Sequence, residues 1–500
     1  MPELTRRRLL IGGAGAGVVG ALGVGGVVGW NQLGSSSPVT ASSDAVARAE
    51  AARRSAGQKL VTARLTPRPL TADLGGLTVD TWGYGDAVPG PVIRAAAGDL
   101  LRITVDNELP TETSVHWHGL ALRNDMDGVP GMTQDPIPAG GRFTYEFTAP
   151  DPGTYFYHPH TGVQLDRGLY GALVIDDPAE PGDYDAEWIV LLDDWVDGTG
   201  RTPDQVLEQL LAGGMDHGGM AMGGMGGMGG MGEGMQSALL GGAGDVDYPH
   251  YLVNGRTPEA PATLTAEPGQ RVRIRFVNAG SDTAFRVALG GHRMTVTHSD
   301  GFPVRPAETD ALLIGMGERY DVLVTVGDGA FPLAAAAEGK QGRGLAIART
   351  GKGGRPGTDR PAELDRRILT GADLAALEDV RLSSKRPDRT HRVAIAGAMA
   401  PYRWTINGRP FPDAESLPVT EGERVRLRFE NHSMMFHPMH LHGHTFGLTR
   451  GGARKDTVIV RPMQTVEVEL DADNPGQWAT HCHNIYHAEA GMMTALSYQA

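Results

Sequence analysis

The chain has 500 residues, of which 40% are hydrophobic and 21% are charged, a composition of soluble globular domains rather than of a disordered chain. At roughly 150 residues per domain this length predicts about three domains, and the 71 glycines and 33 prolines favour turn-rich β structure over helical bundles. The formal net charge of -14 argues against a sequence-independent grip on nucleic acid, and a single cysteine excludes an intramolecular disulfide.

Residues 1–41 have the pattern of an export signal. Three arginines at positions 6–8 precede an apolar, glycine-rich run up to Trp30, and small residues follow it. Paired arginines before such a run resemble a twin-arginine signal, so we expect the twin-arginine translocase to export the chain to the periplasm, the cell envelope or the medium. Cleavage near Ala41 would leave no stable membrane span. The alternative is an uncleaved anchor, because the run is about 20 residues long.

Three ten-residue segments share one pattern and predict an internal repeat. The segments are 98–107, 269–278 and 422–431. Each begins with Gly and ends with Asn, and alternating apolar and polar residues between them predict a half-buried strand. The chain is therefore predicted to contain three copies of one β domain, at 65–190, 245–350 and 391–500. Residues 31–60, which are rich in Ser and Ala, are predicted to form a mobile linker.

Histidines recur as His-x-His pairs in the first and third copies. The four pairs are His116 and His118, His158 and His160, His440 and His442, and His481 and His483. Residues two apart in a strand share a face at a spacing of about 6.6–7 Å, so each pair can serve neighbouring metal ions. Eight imidazoles exceed the four ligands of a closed zinc site. We therefore predict that the first and third copies meet around a metal cluster, with the second copy as a spacer or lid.

Cys482 lies between two of these histidines. Strand alternation turns its sulfur to the face opposite to both neighbours, so the thiolate can bind a second metal centre. His437, His487 and Met492 are close enough in sequence to join it. One thiolate, two imidazoles and a distant thioether form the ligand set of a blue-copper site. The alternatives are a buried free thiol and a zinc site.

These motifs resemble those of the three-domain multicopper oxidases, most closely the bacterial copper-efflux oxidases and laccase-like enzymes. The resemblance covers nearly everything after residue 65 and rests on the sequences HWHG, HPH, HPMHLHG and HCHNIYHAEAGM. It implies an all-β chain of three cupredoxin-like Greek-key β-sandwich domains with four copper ions. The implied reaction couples one-electron oxidation of a small reductant at a type 1 copper, through Cys482, to four-electron reduction of O2 to water.

The resemblance also implies a ligand set for each copper. The type 1 ligands would be His437, Cys482, His487 and Met492. The type 2 ligands would be His116 and His440. The ligands of the two type 3 ions would be His118, His158 and His483 for one, and His160, His442 and His481 for the other.

Two carboxylates are candidates for supplying protons during O2 reduction. Asp127 matches an acid that relatives keep near the cluster, and the alternative is a turn aspartate before Gly128. Relatives often place an acid directly after the second type 1 histidine, but that position is Ala488 here and Glu489 follows it. Whether Glu489 relays protons stays open.

A short helix is predicted over 202–212, with Thr202 as its cap, Pro203 in its first turn and Gly213 at its end. A Met- and Gly-rich segment at 213–235 follows it. Its methionines are Met215, Met220, Met222, Met225, Met228, Met231 and Met235. Soft thioethers select Cu(I), so we interpret this segment as capturing cuprous ions, and the alternative is a flexible linker. Copper-efflux oxidases carry a similar insert, usually in their third domain.

We expect Cu(I) as the reductant, with phenols and aromatic amines as the second choice and Fe(II) as the third. A Cu(I) oxidase would have a role in copper tolerance. Met435 matches a residue that contacts substrate Cu(I) in the efflux oxidases, whereas Ser433 replaces the acid that they hold two residues earlier. One alternative is a laccase-type phenol oxidase without a cuprous role. The other is a copper-binding cupredoxin protein without enzymatic activity, which the complete set of histidines disfavours.

Overall fold

The computed structural model describes residues 37–180, 182–213, 236–351 and 354–500. Most of the predicted export signal and nearly all of the Met- and Gly-rich segment lie outside these residues. Within them the chain is all-β, as predicted, with seven sheets and few helices. The α-helices of the described residues are α1 (Asp44–Arg53), α2 (Pro203–Leu211) and α3 (Ile485–Glu489).

The first unit contains nine strands in three sheets. They are β1 (Leu60–Leu65), β2 (Pro67–Asp73), β3 (Thr78–Tyr84), β4 (Ile93–Ala96), β5 (Leu100–Asp106), β6 (His116–His118), β7 (Arg142–Thr148), β8 (Gly153–His158) and β9 (Gly171–Asp176). The sheet orders are β1-β5-β7, β2-β3 and β4-β9-β8-β6. The last of these sheets carries the histidines of this unit.

The second unit contains twelve strands. They are β10 (Ala186–Trp195), β11 (His250–Val253), β12 (Ala262–Thr265), β13 (Arg271–Asn278), β14 (Phe285–Leu289), β15 (Met294–Ser299), β16 (Phe302–Thr309), β17 (Ala311–Ile314), β18 (Arg319–Thr325), β19 (Ala330–Ala337), β20 (Arg343–Arg349) and β21 (Ile368–Leu369). They form two sheets, ordered β11-β10-β13-β18-β15-β16 and β12-β20-β19-β14-β17-β21.

The third unit contains eleven strands. They are β22 (Arg389–Met399), β23 (Tyr402–Ile406), β24 (Leu417–Val419), β25 (Arg424–Asn431), β26 (His437–Leu441), β27 (Phe446–Leu448), β28 (Arg454–Lys455), β29 (Thr457–Val460), β30 (Thr465–Asp471), β31 (Gln477–Cys482) and β32 (Met493–Tyr498). They form two sheets, ordered β23-β22-β25-β30-β27-β28 and β24-β32-β31-β26-β29.

The three predicted repeat strands are β5, β13 and β25, and they occupy the same place in each unit. Each pairs in parallel with the strand that opens its unit, which is β1, β10 or β22. Each also pairs antiparallel with a later strand, which is β7, β18 or β30. This shared topology is what three copies of one sandwich produce. β10 belongs by its pairing to the second unit.

β13 differs from the half-buried strand that its alternation predicts, because it is buried on both faces. Its polar face carries Arg273 and Arg275, which are 3% and 2% exposed. Both guanidinium groups donate to the Asp321 carboxylate, and Arg275 also donates to Thr154 of the first unit. Packing between units therefore covers a face that polar residues would otherwise show to water.

The helices of the described residues are short. α2 begins and ends as predicted: Thr202 Oγ1 accepts from Gln205 N–H, Pro203 is the first helical residue, and Gly213 follows with φ of +88°. In the part of the chain that the structure describes, no helix combines the length and the apolar composition needed to cross a bilayer.

The prediction of a mobile linker is wrong for residues 37–53. Pro38 forms a bridge with Gln499 at the edge of the third unit. The following helix α1 buries Val46, and the Glu50 carboxylate accepts hydrogen bonds from the N–H and Oγ1 of Thr148 in the first unit. The buried Val46, the Glu50 contact and a hydrogen bond from Arg53 to Asn474 dock this helix on the first and third units, and none of them is visible in a Ser- and Ala-rich composition.

Candidate copper centres

Strand pairing brings the histidines of each unit together. β6 pairs with β8 so that His116 stands opposite His158, and β26 pairs with β31 so that His440 stands opposite His481. Because residues i and i+2 share a face, the partners of each His-x-His pair point the same way. Each outer unit therefore presents one patch of imidazoles.

The two patches meet face to face. The rings of His116 and His442 stack with centroids 3.8 Å apart, and those of His118 and His440 stack at the same distance. The structure thus brings the first and third copies together at the paired histidines, as the sequence predicts. Almost every histidine of this cluster is buried.

The cluster contains groups of imidazoles with converging nitrogens. His442 Nε2 lies 3.0 Å from His481 Nε2, which lies 3.5 Å from His160 Nε2. In a second group, the ring of His483 lies 4.7 Å from that of His118 and 5.3 Å from that of His158. These are the two sets that the family resemblance assigns to type 3 copper.

Several buried ring nitrogens in the cluster have no hydrogen-bond partner among the described residues. They are Nε2 of His116, His158 and His440, Nδ1 of His118, and both ring nitrogens of His483. Leaving a buried polar atom without a hydrogen bond costs about 1–3 kcal/mol of folding free energy. A cluster of unpaired ring nitrogens is therefore unfavourable unless a ligand binds them. Coordinated metal ions would satisfy them, and the donor set therefore fits copper.

The opposite ring nitrogens are held by the backbone. At 2.8 to 3.0 Å, Nδ1 donates to a carbonyl in four cases: His116 to Asp127, His158 to Pro159, His440 to Asp456, and His481 to Cys482. Such a bond fixes the tautomer and leaves the lone pair on Nε2, which is how proteins orient metal-binding imidazoles.

Burial keeps six imidazoles of the cluster neutral. It lowers the pKa of His118, His158, His160, His442 and His483 well below the usual value, and neighbouring histidines lower it further. The same causes lower the pKa of His481 to about 3. Metal ligands must be deprotonated, so the cluster is ready to bind at neutral pH.

Two buried carboxylates contact the cluster. Asp127, which sequence analysis singles out, accepts from His442 Nδ1 at 2.8 Å through Oδ2. Asp456 is not predicted from the sequence. Its Oδ1 lies 3.3 Å from His118 Nε2 and 3.4 Å from His440 Nδ1. Burial would raise the pKa of Asp456, but the facing Arg319 guanidinium and the His440 contact hold it below its usual value.

A cavity of about 30 Å³ adjoins the cluster, with room for one or two water molecules. Its lining includes His158, His160, His481 and His483. Glu489 also lines it, and this side chain is exposed to solvent. Glu489 therefore adjoins both the solvent and the cavity beside the histidines.

Cys482 points away from this cluster, as strand alternation predicts. Its Sγ lies 3.6 Å from Nδ1 of His437 and 3.6 Å from Nδ1 of His487, and these two nitrogens are 3.0 Å apart. Met492 is buried beside them, and its backbone bonds to Cys482 and His487. The structure thus brings together the thiol, the two imidazoles and the methionine that the sequence singles out.

The surroundings of Cys482 favour a bound cation. Burial raises the pKa of its thiol and lowers that of His437 well below the usual value. A thiolate here therefore requires a cation to offset its charge. The Trp404 ring closes the site, with its centroid 4.1 Å from that of His487.

The outer nitrogens of the two histidines are capped. Ser433 Oγ lies 2.7 Å from His437 Nε2, and His487 Nε2 donates to Asp245 Oδ2 at 2.8 Å. Tyr402 O–H donates to the same carboxylate oxygen at 2.7 Å. Because Nε2 keeps its proton to donate to the carboxylate, Nδ1 of His487 has a lone pair directed toward Cys482. Asp245 lies in a loop that carries no recognisable motif, so its contact with His487 could not be predicted from the sequence.

Comparison with known proteins agrees with this geometry. Models of the family described as multicopper oxidase match residues 69–180, 187–353 and 384–500. The chain is 50% identical to the multicopper oxidase MmcO of Mycobacterium tuberculosis over 100% of both proteins. It is 30% identical to a copper resistance protein A homolog of Pseudomonas syringae pv. tomato, over 81% of this chain and 87% of that protein.

Solved structures show the same fold. The chain superposes on Fet3p, a multicopper oxidase that functions in iron import, with a TM-score of 0.75 and 23% identity over 88% of this chain and 90% of that one. The family binds four copper ions, of types 1, 2 and 3, and couples a reductant to O2. With converging metal donors between the first and third sandwich units and beside Cys482, and with a full-length relative at 50% identity, this chain belongs to the multicopper oxidase family.

Proposed function

We propose that this protein is an exported oxidase of cuprous ions that uses O2 as its electron acceptor and serves copper tolerance. When bound, copper supplies the one-electron redox chemistry and the four-electron reduction of O2 to water. The observation that carries the choice of Cu(I) is the capping of both histidines beside Cys482 by small oxygen-bearing side chains. Relatives named for copper resistance support the same choice.

The chain's own residues would hold the four ions in the sets that sequence resemblance assigns. The type 1 set is His437, Cys482, His487 and Met492. The type 2 set is His116 and His440. The type 3 sets are His118, His158 and His483, and His160, His442 and His481. The converging nitrogens and the unpartnered ring atoms support this assignment.

A small cation suits the outer edge of the type 1 set better than a phenol does. Both histidine rings are 0% exposed, and their outer nitrogens already contact Ser433 and Asp245. An aromatic substrate therefore has no free imidazole edge to touch. A cuprous ion needs only a few soft or oxygen donors, which the nearby Met435 thioether and the Asp245 carboxylate offer.

The Met- and Gly-rich segment is proposed to collect Cu(I) for this edge. Its methionines lie outside the described residues, but the chain on both sides of it ends near the type 1 set. Before it, α2 packs on β23, which carries Trp404. After it, Leu240 packs with Phe436, directly before His437. The neighbouring Gly242 packs against Met435, and a Cβ added at Gly242 would lie 3.4 Å from the Sδ of Met435.

Two carboxylates are proposed to handle protons. Asp127 is hydrogen bonded to His442, and its Oδ1 has no hydrogen-bond partner among the described residues. Glu489 lies between solvent and the small cavity beside the cluster. Together they offer positions at which protons can be held close to the site of O2 reduction.

The experiment that tests the choice of substrate replaces residues 215–235. One variant substitutes leucine for all seven methionines of the segment and so keeps its length and apolar character. A second replaces the segment with a Gly- and Ser-rich linker of equal length. We expect both variants to raise KM for Cu(I) at least several-fold and to leave kcat/KM for a phenol unchanged or improved.

The two substrates serve as controls for each other. Equal loss on Cu(I) and on the phenol would contradict the capture role and indicate a general defect. Unchanged kinetics with Cu(I) would also contradict it. A wild-type kcat/KM for a phenol that exceeds that for Cu(I) would favour the laccase-type alternative.

Export is proposed on the sequence pattern of residues 1–41. Replacing the three arginines at positions 6–8 with lysines keeps the positive charge but removes the twin-arginine pattern. We expect this variant to accumulate in the cytoplasm as a folded protein. Continued export of the lysine variant would contradict use of the twin-arginine route.

A further inference from the structure

Among the described residues, the second unit contributes no side chain to the groups of converging metal donors. It nevertheless packs directly against these donors. Gly317 has φ of +81°, and a Cβ at this position would lie 2.9 Å from His118 Cε1 and 2.9 Å from His483 Cδ2. Only glycine lets a backbone in this conformation approach two imidazoles so closely. The turn at Gly317 leads straight into β18, whose first residue is Arg319.

Arg319 reaches from the second unit into the third. Its Nη1 and Nη2 donate to Oδ1 and Oδ2 of Asp456 at 2.7 and 2.6 Å, and both side chains are 0% exposed. Two parallel bonds fix the plane of a carboxylate as well as its position. Because Asp456 Oδ1 lies within 3.4 Å of His118 and His440, this plane decides where the carboxylate stands against both rings.

A separate ion pair of the second unit stands behind the type 1 set. Lys340 Nζ donates to Asp282 Oδ2 at 2.5 Å, and both side chains are buried. Asp282 Oδ1 accepts from Asn484 Nδ2 at 2.6 Å and from the backbone N–H of Asp245 at 2.9 Å. Gly244 makes this approach possible, since a Cβ there would lie 2.1 Å from Asp282 Oδ2.

Both residues that Asp282 holds contact His487. Asp245 Oδ2 accepts from His487 Nε2 at 2.8 Å. Asn484 Oδ1 caps α3 by accepting from the backbone N–H of Tyr486 and of His487. Asp282 therefore acts on this histidine from two sides, on its ring through Asp245 and on its backbone through Asn484.

We propose that the second unit positions the ligands of both copper centres through two independent buried ion pairs. Arg319, through Asp456, orients His118 and His440 in the trinuclear cluster. Lys340, through Asp282, orients His487 in the type 1 set. The proposal rests on the ligand assignment of the proposed function and goes beyond it, because it gives the ligand-free unit a role at each centre.

The competing explanation is that the ion pairs only hold the units together. Buried ion pairs are often poor stabilisers, since desolvation offsets their attraction. Loss of a purely structural pair would lower thermal stability without a centre-specific signature. Two pairs that position different ligands predict two different spectroscopic changes.

The test uses the copper-loaded full-length protein and two variants, Arg319→Lys and Lys340→Met. A lysine at 319 keeps the charge but offers a single ammonium group in place of a two-point contact. For Arg319→Lys we expect an altered type 2 EPR signal and about 10- to 100-fold easier removal of that copper by a chelator, with the type 1 absorption and potential unchanged. For Lys340→Met we expect the reverse pattern: a shifted type 1 absorption and potential, and an unchanged type 2 signal.

Further variants guard against misfolding. Asp456→Asn tests the first contact from its other side. The double variant Lys340→Met/Asp282→Asn removes the second pair without leaving a lone buried charge. Arg424→Lys is the matched control, because Arg424 is 1% exposed and its guanidinium donates to Asp471 and Ser383, neither of which is a proposed ligand or a residue that positions one. We expect it to change neither spectrum.

Specific outcomes overturn the proposal. If Arg319→Lys and Asp456→Asn leave the type 2 signal unchanged, or if they alter the type 1 and type 2 centres equally, the positioning role is wrong. The same holds for the type 1 site if the double variant keeps the wild-type potential. Failure of the ligand assignment itself would be seen separately, as retention of four coppers by a His440→Ala variant.

Discussion

His442 Nδ1 of the third unit donates to Asp127 Oδ2 of the first unit at 2.8 Å. The backbone carbonyl of the same aspartate accepts from His116 Nδ1 at 2.8 Å. Asp127 therefore joins two imidazoles of different strands. Its second carboxylate oxygen lies 3.3 Å from His116 Nδ1 and has no hydrogen-bond partner among the described residues.

We expect Asp127→Asn to slow O2 reduction while leaving the blue type 1 absorption intact. The amide keeps the shape of the side chain but cannot take up and release a proton, a role typically worth on the order of 100-fold in rate. Steady-state O2 consumption and the visible spectrum of the copper-loaded variant measure the two effects.

Asp125→Asn is the matched control for this variant. Asp125 is two residues away and pairs with Arg123 at 2.6 Å rather than with a histidine. It should leave turnover close to wild type. Unchanged turnover in Asp127→Asn, or an equal loss in Asp125→Asn, would contradict a proton role for Asp127.

The convergence of the proposed copper ligands could be predicted because their signal is local. A His-x-His pair in a strand has one geometry, and its recurrence in the first and third copies reveals a site divided between two units. The strand face to which the Cys482 side chain points follows from the same alternation. In the structure its sulfur lies 3.6 Å from a ring nitrogen of His437 and of His487.

The residues behind the ligands could not be predicted, because their contacts cross between units. Asp245 and His487 are far apart in sequence and meet only when the second and third units pack together. Arg319 and Asp456 are also joined only by that packing. Packing between units likewise explains why β13 is buried on both faces although its sequence alternates.

The copper-free protein should lose stability as the pH falls below about 6.5, the ordinary pKa of histidine. Burial holds the folded-state pKa of cluster histidines such as His442 below that value, and that of His481 at about 3. Between these limits the unfolded chain binds more protons than the folded one, so acid favours unfolding. Each such histidine contributes up to about 1.4 kcal/mol per pH unit.

Thermal unfolding of the copper-free protein between pH 7.5 and about 4.5 measures this slope. The copper-loaded protein is the control, because a coordinated nitrogen cannot take a proton until the metal leaves. His481→Gln removes one titrating group and should make the slope of the copper-free protein shallower. Equal stability of the copper-free protein at both ends of this range would contradict the prediction.

Glu489→Gln should lower kcat for O2 reduction with Cu(I) and with a phenol by the same factor. Glu489 lines the cavity beside the cluster and not the outer edge of the type 1 set, so its loss should leave KM for either reductant unchanged. Steady-state kinetics with both reductants measure this. A change confined to one reductant would contradict a role in proton supply.

Removing residues 37–41 should destabilise the protein, although these residues fall within the predicted export signal. Val39 N–H donates to the Tyr498 carbonyl at 2.8 Å, Gln477 Nε2 donates to the Val39 carbonyl at 2.7 Å, and Ala500 N–H donates to the Ser37 carbonyl at 2.9 Å. At about 0.5–1.5 kcal/mol for each bond, a chain starting at residue 42 should unfold several degrees below one starting at residue 37. We therefore expect the mass of the exported protein to show that residues 37–41 are retained, with cleavage at or before the bond that precedes Ser37. Equal unfolding temperatures for the two chains would show that this segment contributes nothing to the folded state.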